Sequence, residues 1–150
     1  MKLSMLLVAT ALVVAPVGVI GKEPSKEELF KSFEQSMKNV RFSGHFTVMG
    51  QKLAPAKETY EIQNVQKLGD DDLWIFTARV KYGGQDVTLP MPLPVKWLGN
   101  IPVITMDKVT LPGLGTFSAH VVIDGDKYAG TWAHGKVGGH LYGTISRMKK

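Results

Sequence analysis

The stretch VVIDGDKYAGTWAHGKVGGHLYGTIS, residues 121–146, decides how this chain folds. Apolar and polar residues alternate in it, and turn signals interrupt it twice, so it reads as three antiparallel strands. With Asp124-Gly125 as a two-residue hairpin turn, Ile123 pairs with Asp126, Val121 with Tyr128, Ala119 with Gly130 and Phe117 with Trp132. A four-residue turn over Gly135–Gly138 then pairs His134 with Gly139, Trp132 with Leu141, Gly130 with Gly143 and Tyr128 with Ile145. One face is thus expected to carry the rows Phe117–Trp132–Leu141, Ala119–Gly130–Gly143 and Val121–Tyr128–Ile145. The other face carries Ser118, His120, Ala129, Thr131, Tyr142 and Thr144. A one-residue slip would mix the two sets, so the faces are strongly specified.

This placement gives the glycines a packing role. GKVGG has no Lys-Ser/Thr after it and opens no helix, so it is not a phosphate loop. The alternation puts His134 on the apolar face and His140 on the other, which keeps them from sharing a metal; no metal site is expected.

Upstream, LWIFTARVKYGGQDVTLPMPLPVKW reads as a second hairpin, turning at Gly83-Gly84. Tyr82 then faces Gln85, Val80 faces Val87, Ala78 faces Leu89, Phe76 faces Met91 and Trp74 faces Leu93, with Lys81 and Asp86 paired on the outer face. Pro90, Pro92 and Pro94 fall at alternate positions whose amides would point away from this hairpin. Proline has no N–H, so the hairpin is intact while its outer edge lacks donors. That is the pattern of an edge strand or of a seam where a barrel gapes.

Further upstream, Tyr60 and Ile62 are in step but Val65 is not, which calls for a bulge near Gln63-Asn64. In RFSGHFTVM, Phe42, Gly44, Phe46 and Val48 share a face and His45 points away from it, toward solvent. PSKEELFKSFEQSMKNV carries the capping box Ser25/Glu28 and an apolar stripe of Leu29, Phe30, Phe33, Met37 and Val40, predicting an amphipathic helix over about 25–40 that packs on the sheet. The expected fold is mainly β: a curved antiparallel sheet or a small seven- to eight-stranded barrel behind an N-terminal helix, with strands over 41–147.

The opening MKLSMLLVATALVVAPVGVIGK has a positive Lys2, an apolar run broken at Pro16, and small residues Val19 and Gly21. It reads as a signal peptide over 1–21, leaving 22–150 as one exported domain, in the periplasm, the cell envelope or the medium; an uncleaved membrane anchor is the alternative. The 150 residues include no cysteine, which excludes disulfides, thiolate metal sites and cysteine nucleophiles. The net charge of +5 is scattered except in the tail RMKK, so an anionic envelope surface is the expected charged neighbour and nucleic acid is not.

Gly130-Thr131-Trp132 and the aromatic-and-glycine hairpins over 116–146 resemble lipocalin-type and avidin-type (calycin-like) barrels, although the lipocalin Gly-x-Trp lies near the first strand rather than the last. The chain as a whole is similar to small, uncharacterised secreted bacterial proteins. The resemblance implies a ligand in the barrel. The candidate lining is Trp74, Phe76, Met91 and Leu93 from one hairpin, with Phe117, Tyr128 and Trp132 from the other strands. The reading is an exported, non-enzymatic binding protein for an apolar or amphipathic small ligand, with no cofactor. A structural or interaction module of the envelope is the alternative and a hydrolase the third. No catalytic residues are assigned. N-terminal sequencing of the exported protein should start at or near Lys22; a full-length chain retained in the cytosol contradicts the leader.

Overall fold

The structure, a computed structural model, describes residues 23–149 apart from Gly83. The leader over 1–21 lies outside the described residues. Among the described residues no helix is long and apolar enough to cross a membrane. The chain forms one short helix, α1 (Lys26–Ser36), and eight antiparallel strands that close into a barrel in sequence order. They are β1 (Val40–Phe46), β2 (Ala56–Lys67), β3 (Leu73–Tyr82), β4 (Gln85–Leu98), β5 (Ile101–Leu111), β6 (Gly115–Asp124), β7 (Lys127–His134) and β8 (Val137–Arg147).

The capping box forms as the sequence predicts: Ser25 Oγ accepts from the Glu28 amide, and the Glu28 carboxylate accepts from the Ser25 amide. The helix is shorter than expected. Asn39 adopts φ 52°, and the chain turns there directly into β1. Met37 and Val40, read as the end of the helical stripe, are buried at that corner. No basic residue occupies the last helical turn, and Arg147 at the end of β8 supplies the missing charge by donating to the carbonyls of Gln35 and Lys38. The Glu34 carboxylate accepts from the Lys67 amide, which ties the helix to β2.

α1 closes one end of the barrel. Phe30 and Phe33 each meet Trp74 with ring centroids 5.1 Å apart in edge-to-face geometry, and Phe33 also contacts Trp97 and Phe76. These aromatic rings form a plug under the β2–β3, β4–β5 and β6–β7 turns.

The apolar faces read from the sequence are the faces that point inward, but the rows are displaced. β6 pairs with β7 as Asp124↔Lys127, Ile123↔Tyr128, Val121↔Gly130, Ala119↔Trp132 and Phe117↔His134. β7 pairs with β8 as His134↔Val137, Trp132↔Gly139, Gly130↔Leu141 and Tyr128↔Gly143. The expected rows Phe117–Trp132–Leu141, Ala119–Gly130–Gly143 and Val121–Tyr128–Ile145 therefore do not form. Each interface has slipped by two residues, which leaves inside and outside unchanged. The displacement is carried at the turns. Gly125 and Gly135 take positive φ at the first central position of two-residue turns, so the turns are Gly125-Asp126 and Gly135-Lys136, with glycine leading as in type II′. Neither Asp124-Gly125 nor a four-residue loop is used.

The other hairpin has the expected register, with Tyr82↔Gln85 through Trp74↔Leu93. Asp86 lies opposite Lys81, but its short contacts are to Arg79, at 2.7 and 2.8 Å. The bulge falls at Gln63, between Ile62 and Asn64, and its carbonyl accepts from the Asn39 amide.

Phe33→Ala removes a ring that touches both plug tryptophans. It should cost about 3–5 kcal/mol in chemical denaturation, the range for deleting a buried aromatic side chain. A loss under 1 kcal/mol would mean the helix end does not depend on the plug.

Candidate functional site

Beyond the plug the barrel is hollow. A cavity of about 460 Å³ runs toward the opposite end, where the β1–β2, β3–β4, β5–β6 and β7–β8 connections lie. Its walls are almost entirely apolar. Six of the seven residues read from the sequence line it: Phe76, Met91 and Leu93 on one side, Phe117, Tyr128 and Trp132 on the other. Trp74 is the correction. It is fully buried beneath Phe30 and Phe33 and belongs to the plug, because the helix occupies the space that a ligand would need to reach it.

Large and small residues alternate around the wall, as a narrow barrel requires. Trp132 stands between Ala119 and Gly139, and Leu141 between Gly130 and Phe46. Gly139 lets the extension of β1 approach. A Cβ there would lie 1.9 Å from the Thr47 carbonyl oxygen, which accepts from Trp132 Nε1 at 3.1 Å. At the mouth, His134 stacks on Phe117 at 4.4 Å between centroids. His140 is on the outer face, within hydrogen-bond reach of Thr47 Oγ1, and His45 is half-buried beside Tyr142 rather than free in solvent.

One residue of this interior is missing from the sequence-derived candidates. Glu58 is 3 % exposed and is the one buried charged or polar residue among the described residues. It lies on β2 in the same parity as Tyr60 and Ile62, so the signal was present: a carboxylate in step with two inward-facing residues. Tyr60 donates to one carboxylate oxygen at 2.8 Å and Tyr128 donates to the other at 2.9 Å. The second contact spans 70 positions of sequence. It is made possible by one row across four strands: Glu58 pairs with Gly44, Gly44 with Gly143, and Gly143 with Tyr128. The two glycines leave a bare floor over which the phenol reaches the acid. A Cβ on Gly44 would lie 2.4 Å from the Tyr128 hydroxyl, and one on Gly143 would lie 2.8 Å from its ring.

Burial pushes the Glu58 carboxyl up from its ordinary range, partly offset by the two phenol hydrogen bonds and by His45. Burial, with the acid beside it, also pushes the Tyr128 phenol up, so this hydroxyl is a fixed donor.

The wall has a seam. β4 pairs with β5 only over Val95↔Ile104, Lys96↔Val103, Trp97↔Pro102 and Leu98↔Ile101. From Gln85 to Pro94 it pairs with β3 alone, and the last link across the seam is a side chain, Thr105 Oγ1 donating to the Pro94 carbonyl at 3.5 Å. The proline parity accounts for the stretch from Pro90 to Pro94, where Pro90, Pro92 and Pro94 hold the outward amide positions and offer no donor. Met91 and Leu93 line the cavity behind this edge, and Met106 and Leu111 face them from β5.

No protein-family model, curated protein or solved structure matches this chain. The likeness to lipocalin-type and avidin-type barrels accordingly carries no ligand across, and the chemistry of the cavity has to be read from its own residues.

Glu58 makes a testable contribution to stability. Its folded-state pKa lies above the ordinary 4.5, so it destabilises the barrel progressively as pH rises from about 4.5 toward the folded value. Subtracting the unfolding free energy of Glu58→Gln from that of the wild type should leave a difference that falls with rising pH across this window and then levels. A difference that rises with pH would reverse the assignment.

Proposed function

We propose that this protein is an exported, non-enzymatic binding protein whose barrel interior takes an apolar or amphipathic small molecule. The carrying observation is the cavity of about 460 Å³, apolar in its walls and open away from the helix plug. Small-molecule sites commonly occupy about 300–1,000 Å³ and combine apolar walls with a few placed polar groups, and Glu58 with its two tyrosines supplies such a group here. The alternative, a structural module of the envelope, calls for an interior packed by side chains. The leader read over 1–21 supports the exported setting. The unpaired edge of β4 beside Met91 and Leu93 supports lateral entry as well as entry at the mouth.

The test uses N-phenyl-1-naphthylamine, an uncharged probe that fluoresces in apolar surroundings. Titration of the purified protein should give saturable, one-to-one binding. Ala119→Phe projects a ring into the cavity beside Trp132 and should weaken binding about tenfold or more, with the far-ultraviolet circular dichroism of the barrel retained. Absence of probe binding to the folded wild type would overturn the reading.

A further inference from the structure

We propose that the ligand carries a hydrogen-bond-donating cationic head, an alkyl- or arylammonium group, which docks on Glu58 while its apolar body fills the barrel. This rests on the binding reading above and narrows it to a chemical class.

The first argument is a count of donors and acceptors. At the polar end of the cavity stand one carboxylate and two phenols. Both hydroxyl protons point at Glu58, one to each oxygen. An ionised carboxylate has about four acceptor positions, so roughly two are left after the phenols donate. The site therefore has spare acceptors, while the hydroxyl donors are committed. A carboxylate, sulfate or phosphate head would bring more acceptors to a place that already has an excess. An ammonium brings only donors.

The second argument is charge. Among the described residues no lysine or arginine forms an ion pair with Glu58. The basic groups beside it on β2, β1 and β3 are Lys57, His45 and Lys81; His45 pairs with Lys57 and Lys81 lies opposite Thr59, all in the opposite parity, directed away from the cavity. A buried carboxylate is costly without a partner, and a cationic ligand would bring one. The surroundings also suit a cation. The Tyr128 ring lies 5.0 Å from that of Phe42, and Phe46 meets Trp132 edge-on at 5.7 Å, so aromatic rings flank the space above the acid.

The third argument is construction. Two glycines on adjacent strands are kept bare so that Tyr128 can lie across them and hold the acid. A glutamine in place of Glu58 has the same length and would satisfy Tyr60 and Tyr128, its carbonyl oxygen accepting from one phenol and its amide donating to the other, without burying a charge, so the carboxyl serves something other than the barrel's own hydrogen bonding.

The test compares three ligands with the same twelve-carbon chain below their micelle-forming concentrations: dodecylammonium, 1-dodecanol and dodecanoate, each displacing N-phenyl-1-naphthylamine at pH 7. The expected order is ammonium over alcohol by about tenfold or more, with dodecanoate weakest, the size of one charge-assisted hydrogen bond. Glu58→Gln should abolish the advantage of the ammonium and leave the alcohol nearly unchanged. Equal affinities, or dodecanoate binding best, overturn the inference while the binding reading stands. So does an ammonium preference that survives in Glu58→Gln. Failure of the probe and all three ligands overturns both. A crystal structure of the wild type with dodecylammonium does not depend on the variant folding; it should place the nitrogen within hydrogen-bond reach of Glu58, and a nitrogen at the mouth beside His134 would refute the proposal.

Discussion

The reach of Tyr128 across Gly44 and Gly143 to Glu58 is the constraint on which the rest of the interior depends. It links four consecutive strands around the closure, β7, β8, β1 and β2, and it works only if their registers are mutually correct. If any one of these pairings slipped by two residues, a side chain would replace a glycine in the row, or the acid would move out of reach. The first and last strands meet in the same row, so barrel closure and the placement of the one buried charge are settled together. Two bare glycines side by side at the closing seam are therefore structural in the strict sense: a Cβ on Gly44 would also lie 2.1 Å from the Tyr142 carbonyl oxygen.

The two ends of the barrel differ because side-chain volume is distributed unevenly. Toward the helix, Trp74, Phe76 and Trp97 receive Phe30 and Phe33, and the space is filled. Toward the other end the β7 and β8 positions alternate glycine with large residues, and among the described residues no helix covers the mouth as α1 covers the base. The result is a cup with an aromatic base. The prolines of β4 add a second departure from a uniform wall. They leave the β3–β4 hairpin intact because their missing amides all face the same way, and the barrel closes through the four pairs from Val95 to Leu98.

The displaced rows of β6–β8 show where periodicity stops being informative. Side chains alternate with a period of two, so the apolar pattern distinguishes a one-residue slip sharply and a two-residue slip not at all. Which of these equivalent registers forms is decided at the turn. Asp124-Gly125 and Gly125-Asp126 are both good hairpin pairs; the turns that form are Gly125-Asp126 and Gly135-Lys136, with glycine leading in each. Tyr82-Gly83-Gly84-Gln85 has glycine at both central positions, so its register was legible without choosing a turn type.

What the sequence by itself determined was the inward and outward faces of the β3–β4 hairpin and of β6, β7 and β8, the capped helix, the bulge at Gln63 and the donor-free edge of β4; the faces of β5, whose register shifts between Met106 and Val109, were not read from it. Each feature so determined follows from local chemistry: alternation, a capping box, a break in phase, and proline's missing amide. Six of the seven cavity residues followed from the same alternation. The tertiary structure alone decided that Trp74 belongs to a plug, because that depends on where Phe30 and Phe33, on a helix distant in sequence, come to rest. It alone decided that Glu58 lines the cavity between Tyr60 and Tyr128. The parity of Glu58 was visible beside Tyr60 and Ile62. Its second partner was not, since Tyr128 is 70 positions away and meets it only across two other strands of a closed barrel.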